Sequence, residues 1–364
     1  MKIKLPKKYI VKGKIMIKDL IDKLASTNDL SSEELLYILD NLNEESKKYL
    51  IERAHETRMR VYGDKVYIRG LIEFTNYCSR NCIYCGIRAE NRNADRYRLT
   101  LDEILECTDL GDQLGYKTFV LQGGEDPYYT DERLVEIIKA IKSRHPQSAI
   151  TISLGERNYE SYKKLYDAGA DRYLLRHETA TKELYNRFHP KASFENRKKC
   201  LHDLKEIGYQ IGAGFMVGLP GQDNKDLVND LRFIKELSPH MCGLGPFIPH
   251  KDTELKDCKS GTLEKTITML ALVRLLVPNI LLPATTALGS INPLGRELGI
   301  KAGANVVMPN LSPRSVREKY SLYDGKICTG DEAAECRYCI ENRIKNAGFQ
   351  LDITRGDNID WARK

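Results

Sequence analysis

The sequence predicts an α/β fold: a complete (β/α)8 TIM-type barrel with an N-terminal helical extension and a C-terminal cysteine-containing tail. Three observations predict it. From Val66 onward, apolar runs that read as strands end at polar or glycine-rich turns, and helical periodicity follows each. There are eight such runs: Val66–Thr75, Phe119–Gln122, Ala149–Leu154, Arg172–His177, Ile211–Val217, Cys242–Ile248, Ile280–Ala284 and Asn305–Met308. Eight strand–helix units over roughly 250 residues are the number that closes a barrel. Finally, no G-x-G-x-x-G follows the first run, which disfavours an open doubly wound sheet.

The elements follow in order. Residues 1–65 form the extension, 66–310 the barrel and 311–364 the tail. In the extension, Ser31 stands three residues before Glu34 as a capping box, and Leu35, Leu36, Ile38, Leu39 and Leu42 keep helical spacing. A second helix runs from about Glu44 to Val61, and the extension reads as a cap over the bottom of the barrel. Thr100 and Glu103 form another capping box, opening a helix that Gly115 closes. Leu134, Ile137, Ile138 and Ile141 mark the apolar stripe of the next helix.

With 364 residues, 41% of them hydrophobic, the chain can bury a large core. Its 30% charged residues leave a net charge of only +6, without the concentrated basic stripe of a nucleic-acid binder. The basic first twenty residues lack an unbroken apolar region, because Lys12, Lys14 and Lys18 interrupt it; no leader and no membrane span are expected. Six of the ten cysteines fall in two tight clusters, a pattern of metal sites in a reducing compartment, so the cytoplasm is the expected location. Cys107, Cys200, Cys242 and Cys258 are scattered and read as structural or incidental.

The first cluster, Cys78-x3-Cys82-x2-Cys85, follows strand 1 and so sits at the C-terminal mouth, where barrel chemistry belongs. Three soft thiolates on one loop suit an iron–sulfur cluster or zinc; closed structural zinc wants four ligands, and no fourth lies nearby in sequence. Other strand ends are polar too. Gln122-Gly123-Gly124-Glu125 lets the backbone approach a ligand. Arg176 and Glu178 share a strand face, and Arg197 has the fork to bind a carboxylate or lies on a solvated helix face. His177 and His189 read as structural. Gly212 and Gly214 leave room for a flat ligand or for close packing, and the Thr285–Thr286 hydroxyls suit an anion or local backbone. The second cluster, Cys328-x7-Cys336-x2-Cys339, suits an accessory iron–sulfur cluster or zinc.

The first motif closely resembles that of the radical S-adenosylmethionine (SAM) enzymes. The resemblance implies a 4Fe-4S cluster on Cys78, Cys82 and Cys85 with one open iron, which chelates SAM and cleaves it to a 5′-deoxyadenosyl radical. It also implies that Tyr84 and Met216 pack against adenine, that Gly123, Gly124 and Glu125 hold the SAM amino group, and that Thr151, Glu178 and Arg197 complete the cofactor contacts.

The runs Glu73–Tyr77, Cys85–Arg88, Leu121–Pro127, Leu175–Thr179, Met216–Gln222 and Tyr320–Cys339 further resemble the HydE family of FeFe-hydrogenase maturases. That likeness implies a part in assembling the di-iron subcluster of the hydrogenase active site. The implied substrate is a cysteine-bound iron carbonyl cyanide precursor from the companion maturase HydG, with the scaffold maturase HydF downstream; no electron donor is indicated. Arg69, Gln122, Arg176, Met241, Thr285, Thr286, Tyr320 and Tyr323 would meet that substrate. The tail cysteines imply an accessory cluster (2Fe-2S or 4Fe-4S), dispensable for the chemistry because some members lack it. Three rivals stand beside this reading: a radical SAM enzyme on a small organic molecule, as in biotin synthase or methylornithine synthase, a non-catalytic iron–sulfur scaffold or carrier, and a zinc-binding structural protein.

Overall fold

A computed structural model of the protein describes residues 10–11, 14–15 and 17–363. Most of the basic N-terminal stretch read for a leader lies outside the described residues. After an antiparallel pair of two-residue strands, Ile10–Val11 and Lys14–Ile15, three helices follow: α1 (Ile17–Thr27), α2 (Ser32–Asn41) and α3 (Glu44–Tyr62). Strand β1 (Lys65–Ile68) runs through Arg69 into β2 (Gly70–Thr75). Then α4 (Leu101–Gln113), β3 (Thr118–Gly123), α5 (Asp131–Arg144), β4 (Ala149–Ser153), α6 (Tyr159–Asp167) and β5 (Arg172–Leu174) alternate. The helices α7 (Lys182–Phe188) and α8 (Phe194–Ile207) lead to β6 (Gln210–Ala213), β7 (Met216–Val217) and α9 (Asn224–Leu237). They are followed by β8 (Met241–Cys242), β9 (Gly245–Pro246) and α10 (Leu263–Leu276). Beyond lie α11 (Thr286–Ile291), α12 (Gly295–Lys301), β10 (Val306–Val307), α13 (Arg314–Arg317), α14 (Ala333–Asn346) and β11 (Gln350–Asp352).

Both expected capping boxes form. Glu34 N donates to Ser31 Oγ at 3.3 Å, and Ser31 N to Glu34 Oε2 at 3.0 Å. Glu103 N donates to Thr100 Oγ1 at 3.2 Å, with the return bond at 2.7 Å. These satisfy amide donors that a helix start leaves without partners. Gly115 follows α4 with φ +86°, as expected of a helix stop.

The sheet is parallel, ordered β8–β6–β5–β4–β3–β2, with β9 beside β7 and β1 between β10 and β11. Parallel bridges at Met241–Leu281, Pro283–Val306 and Leu71–Asn310 link the remaining positions. Several strands are shorter than the sequence predicted. The run at 211–217 breaks at Gly214, whose φ of +156° puts it against Gly243. The runs at 242–248 and 280–284 contain Pro246 and Pro283, which give no amide to a ladder. Apolar periodicity registers burial on both faces and is blind to these interruptions.

The extension does not cap the bottom of the sheet as expected. Its helices lie on the outer layer, α2 against α9, and α1 and α3 against α10. Helix α10 (LEKTITMLALVRLL) is buried on nearly every side, which its all-round apolar sequence requires. The tail closes the bottom instead. Thr118 Oγ1 and Arg172 Nη2 donate to the Arg355 carbonyl at 2.8 and 2.6 Å, and Arg172 also meets Asp357 at 2.7 Å. Gln210 donates to Asp357 at 3.0 Å and accepts from Asn358 N at 2.9 Å. Buried polar groups at the strand starts thus find partners in a segment with no helical or strand pattern of its own. Among the described residues, no helix is long and apolar enough to cross a membrane.

Candidate active site

The cysteine loop, residues 76–98, leaves β2 at the C-terminal edge of the sheet. Arg96, which the sequence reading missed, organises it. Its guanidinium donates to the carbonyls of Ile87 at 2.8 Å, Arg88 at 2.7 Å and Asn91 at 3.1 Å. Asn76 ties the loop to Asp95 and Lys319 carbonyls at 2.7 and 2.8 Å. The thiols of Cys78, Cys82 and Cys85 are free and half-buried. Burial pushes Cys82 up to about 12, with Cys78 adding to the effect. Cys85 is pushed up by burial and by both other thiols. Three neighbouring thiols that oppose one another's charge ionise only beside a strong cation, and a bound metal centre is one. The trio fits an iron–sulfur cluster on that ground.

The glycines after β3 press on this loop. A Cβ on Gly124 would stand 2.6 Å from the Cβ of Cys78, and one on Gly123 would stand 2.6 Å from Thr75 Cγ2. Glycine is therefore required where the two loops meet. The Ser79 amide donates to the Glu125 carbonyl at 2.8 Å across the same junction.

An ion-pair chain crosses the loops. Arg80 pairs with the Glu125 carboxylate and, at 3.1 Å, with Glu156. Glu156 takes Arg197 Nε at 2.6 Å and Asn196 at 2.8 Å. Burial alone would raise the Glu156 carboxyl, but Arg197 and Arg80 hold it below the ordinary range. Arg197 is thus not on a solvated face: it is buried, with Nε on Glu156 and Nη1 on the Arg176 carbonyl, each at 2.6 Å. Sequence reasoning passed over Arg80 and Glu156 because single charged residues in loops carry no periodic signal.

Tyr84 Oη lies 2.9 Å from His189 Nε2, and His189 Nδ1 lies 2.8 Å from the Tyr185 carbonyl. The imidazole also stacks on the Tyr185 ring at 4.2 Å between centroids. His189, read as structural, therefore holds the aromatic residue of the cysteine motif. Met216 packs with Tyr84, Phe188 and Phe247 in one apolar cluster. His177 is buried 3.3 Å from Asp230, away from the cysteines.

Below the loops, the strands enclose a cavity of about 210 Å³. Arg69, Gln122, Thr151, Arg176, Met241, Thr285, Thr286 and Tyr323 line it. Thr151, expected among the SAM contacts, stands with the expected substrate residues. Tyr320 does not line the cavity; it is buried and hydrogen-bonds Gln122, which does. Arg69 donates to Met241 Sδ at 3.0 Å and to the Gly356 carbonyl of the bottom plug at 3.4 Å. Arg176 meets Glu178 at 3.2 Å, and Glu178 turns out of the strand with φ +64°. Among the described residues, buried polar atoms without a hydrogen-bond partner gather here: Arg69 Nε, Arg176 Nε, Thr151 Oγ1 and Thr285 Oγ1. Their common need is an acceptor-rich guest.

Cys328, Cys336 and Cys339 line the far end of the same cavity, beside Arg296 and Arg343. A hydrogen bond from the Cys336 thiol, with Arg296 at 3.2 Å, lowers the Cys328 thiol below its ordinary range. Between this end and the strands, Glu73, which sequence reasoning did not single out as a site residue, lies on the wall paired with Lys326 of the tail.

A family model for the radical SAM superfamily matches residues 72–234. With the thiol trio above an enclosed cavity at the C-terminal edge of a parallel sheet, the class is that of a radical SAM enzyme. The chain is 50% identical over 313 residues to the FeFe hydrogenase maturase subunit HydE of Thermotoga maritima, covering 86% of this chain and 88% of that one. It belongs to the HydE family. The crystal structure of methylornithine synthase (PylB) superposes with a TM-score of 0.80 at 27% identity, over 92% of this chain and 97% of that one. The crystal structure of HydG, a maturase of the FeFe-hydrogenase, gives 0.79 at 20% identity over 93% and 76%, a likeness of fold alone.

Proposed function

We propose that this enzyme acts in building the di-iron subcluster of FeFe-hydrogenase, on a cysteine-bound iron carbonyl cyanide species. The observation that carries the substrate class is the set of unpartnered guanidinium and hydroxyl atoms on the cavity wall, which suits an anionic ligand rich in acceptors. The 4Fe-4S cluster and SAM, implied by the family, supply the electron and the deoxyadenosyl radical when bound. The chain's own residues do the rest. Cys78, Cys82 and Cys85 hold the cluster, and Tyr84 and Met216 face adenine. Gly123, Gly124, Glu125 and Glu178 would orient the amino acid end of SAM, and Arg197, braced by Glu156, would complete the cofactor contacts. Arg69, Arg176, Thr151, Thr285 and Thr286 bind the substrate, while Gln122, with Tyr320 behind it, Met241 and Tyr323 complete the walls that exclude water.

The same reading extends to the architecture. The three bridges support a ring of eight strand positions closed into one barrel, with 1–65, 66–310 and 311–364 as extension, barrel and tail. Cys328, Cys336 and Cys339 hold an accessory iron–sulfur cluster. HydG supplies the substrate, HydF receives the product, and the work takes place in the cytoplasm.

The test is an anaerobic omission assay. Apo-hydrogenase is matured with every other factor, SAM and reductant, and with this protein alone in the HydE role. Hydrogen evolution is the expected outcome. Deoxyadenosine without hydrogen would instead favour a small organic substrate, the reading that the likeness to methylornithine synthase supports.

A further inference from the structure

We infer that Arg80 is a positioning residue for SAM, which clamps the cysteine loop to the glycine-rich loop and to the exit of β4. The inference rests on the radical SAM reading and deepens it. Arg80 stands between Cys78 and Cys82, and its amide donates to Cys78 Sγ at 3.4 Å. Its side chain leaves the loop and divides between two carboxylates: Nε goes to Glu125, and Nη2 goes to Glu156 at 3.1 Å. Glu125 closes the triangle by accepting from the Glu156 amide at 3.0 Å. Glu156 then passes the chain on to Arg197 at 2.6 Å, so one alternating series of two cations and two anions joins the exits of β2, β3 and β4 to α8.

The clamp has no slack. Gly155 has φ +74°, and a Cβ there would run into the Glu125 side chain. A single fork makes both bonds because guanidinium donors point in two fixed directions, which an ammonium does not reproduce. The Glu156 side chain is 4% exposed and that of Glu125 15%, so without Arg80 two carboxylates would face each other's strand exits with one cation fewer. The consequence falls on spacing: the loop whose thiols would hold the cluster and the Gly123–Gly124 backbone must keep one separation to grip the amino acid end of one SAM molecule between them.

The test uses the reconstituted holoenzyme. Arg80→Gln is expected to retain its iron and the cluster signal in electron paramagnetic resonance. The SAM-induced change in that signal should need about tenfold more SAM, with KM for SAM raised alike, the size of one lost charge-assisted hydrogen bond. Arg80→Lys should recover part of the affinity. Wild-type SAM affinity in Arg80→Gln would overturn the inference. If that variant loses its cluster, Glu156→Gln decides, since it removes one arm of the clamp without touching the cysteine loop; weakened SAM binding supports the clamp, and unchanged binding overturns it. Failure of the wild type itself to cleave SAM would fault the radical SAM reading and not the clamp.

Discussion

Glu73 on β2 and Lys326 in the tail form a buried ion pair across the cavity wall, with Nζ at 2.7 and 2.8 Å from the two carboxylate oxygens. Asn310 adds a bond to the same carboxylate at 2.7 Å, and Lys326 also donates to the Tyr320 carbonyl at 2.9 Å. One ammonium therefore fixes the tail that carries Cys328 against the first strand. Burial raises the Glu73 carboxyl, and Lys326 opposes the rise.

Removing one partner of such a pair strands a charge. Lys326→Met is expected to destabilise the protein by roughly 3–5 kcal/mol, and Glu73→Gln with Lys326→Met to recover most of it. Chemical denaturation of the single and double variants checks this. An additive double variant would mean that the pair does not act as a unit.

His189 gives a pH signature. Burial, with Arg197 nearby, holds its imidazole down at about 3 against an ordinary value of 6.5. A folded value below the unfolded one means that stability is complete above pH 6.5 and is lost as pH falls toward 3. The wild type should therefore lose about 1.4 kcal/mol more per pH unit than His189→Gln over that range. Paired denaturation curves at pH 7, 6 and 5 measure the difference, and parallel curves would contradict it. SAM affinity should also weaken in His189→Gln, because Tyr84 loses its anchor.

Cys82→Ala should abolish SAM cleavage. Deoxyadenosine yield under reducing conditions is the readout, and full yield from this variant would exclude the three-thiolate site.

Replacing Cys336 and Cys339 together should leave most activity, since the family resemblance implies that the second cysteine cluster is dispensable for the chemistry. Iron content should fall while deoxyadenosine formation persists. Complete loss, in a folded protein holding its first cluster, would make the tail cysteines essential.

The plug at the bottom is a fifth point of attack. Asp357 is held at about 2, because Arg172 and Arg355 outweigh the effect of burial. Asp357→Asn leaves the fully buried Arg172 without its carboxylate, and a loss of about 3 kcal/mol in stability is expected. An unchanged melting temperature would show the plug to be passive.

The sequence by itself determined the alternation of strands and helices, the caps at Ser31 and Thr100, and the thiol motif with its glycine-rich neighbour. These are local or periodic signals: a cap is decided within four residues, a helix face by its repeat, and three thiolates on one loop by their spacing. It also marked Arg176 and Thr285 through their places at strand ends, where the sheet gathers side chains, and Arg69 through the family resemblance joined to its place on the first strand. Only the tertiary structure decided what each polar group faces. Arg197 found its carboxylate partner in Glu156, Tyr320 is buried beside Gln122, and the bottom closure passed from the extension to residues 355–358. The reason is physical: a buried charge is satisfied by whatever partner the fold brings within 3 Å or so, and that partner is often a hundred residues away, as Lys326 is from Glu73 with a separation of 253. Periodicity records that a residue is buried, and only the fold records against what.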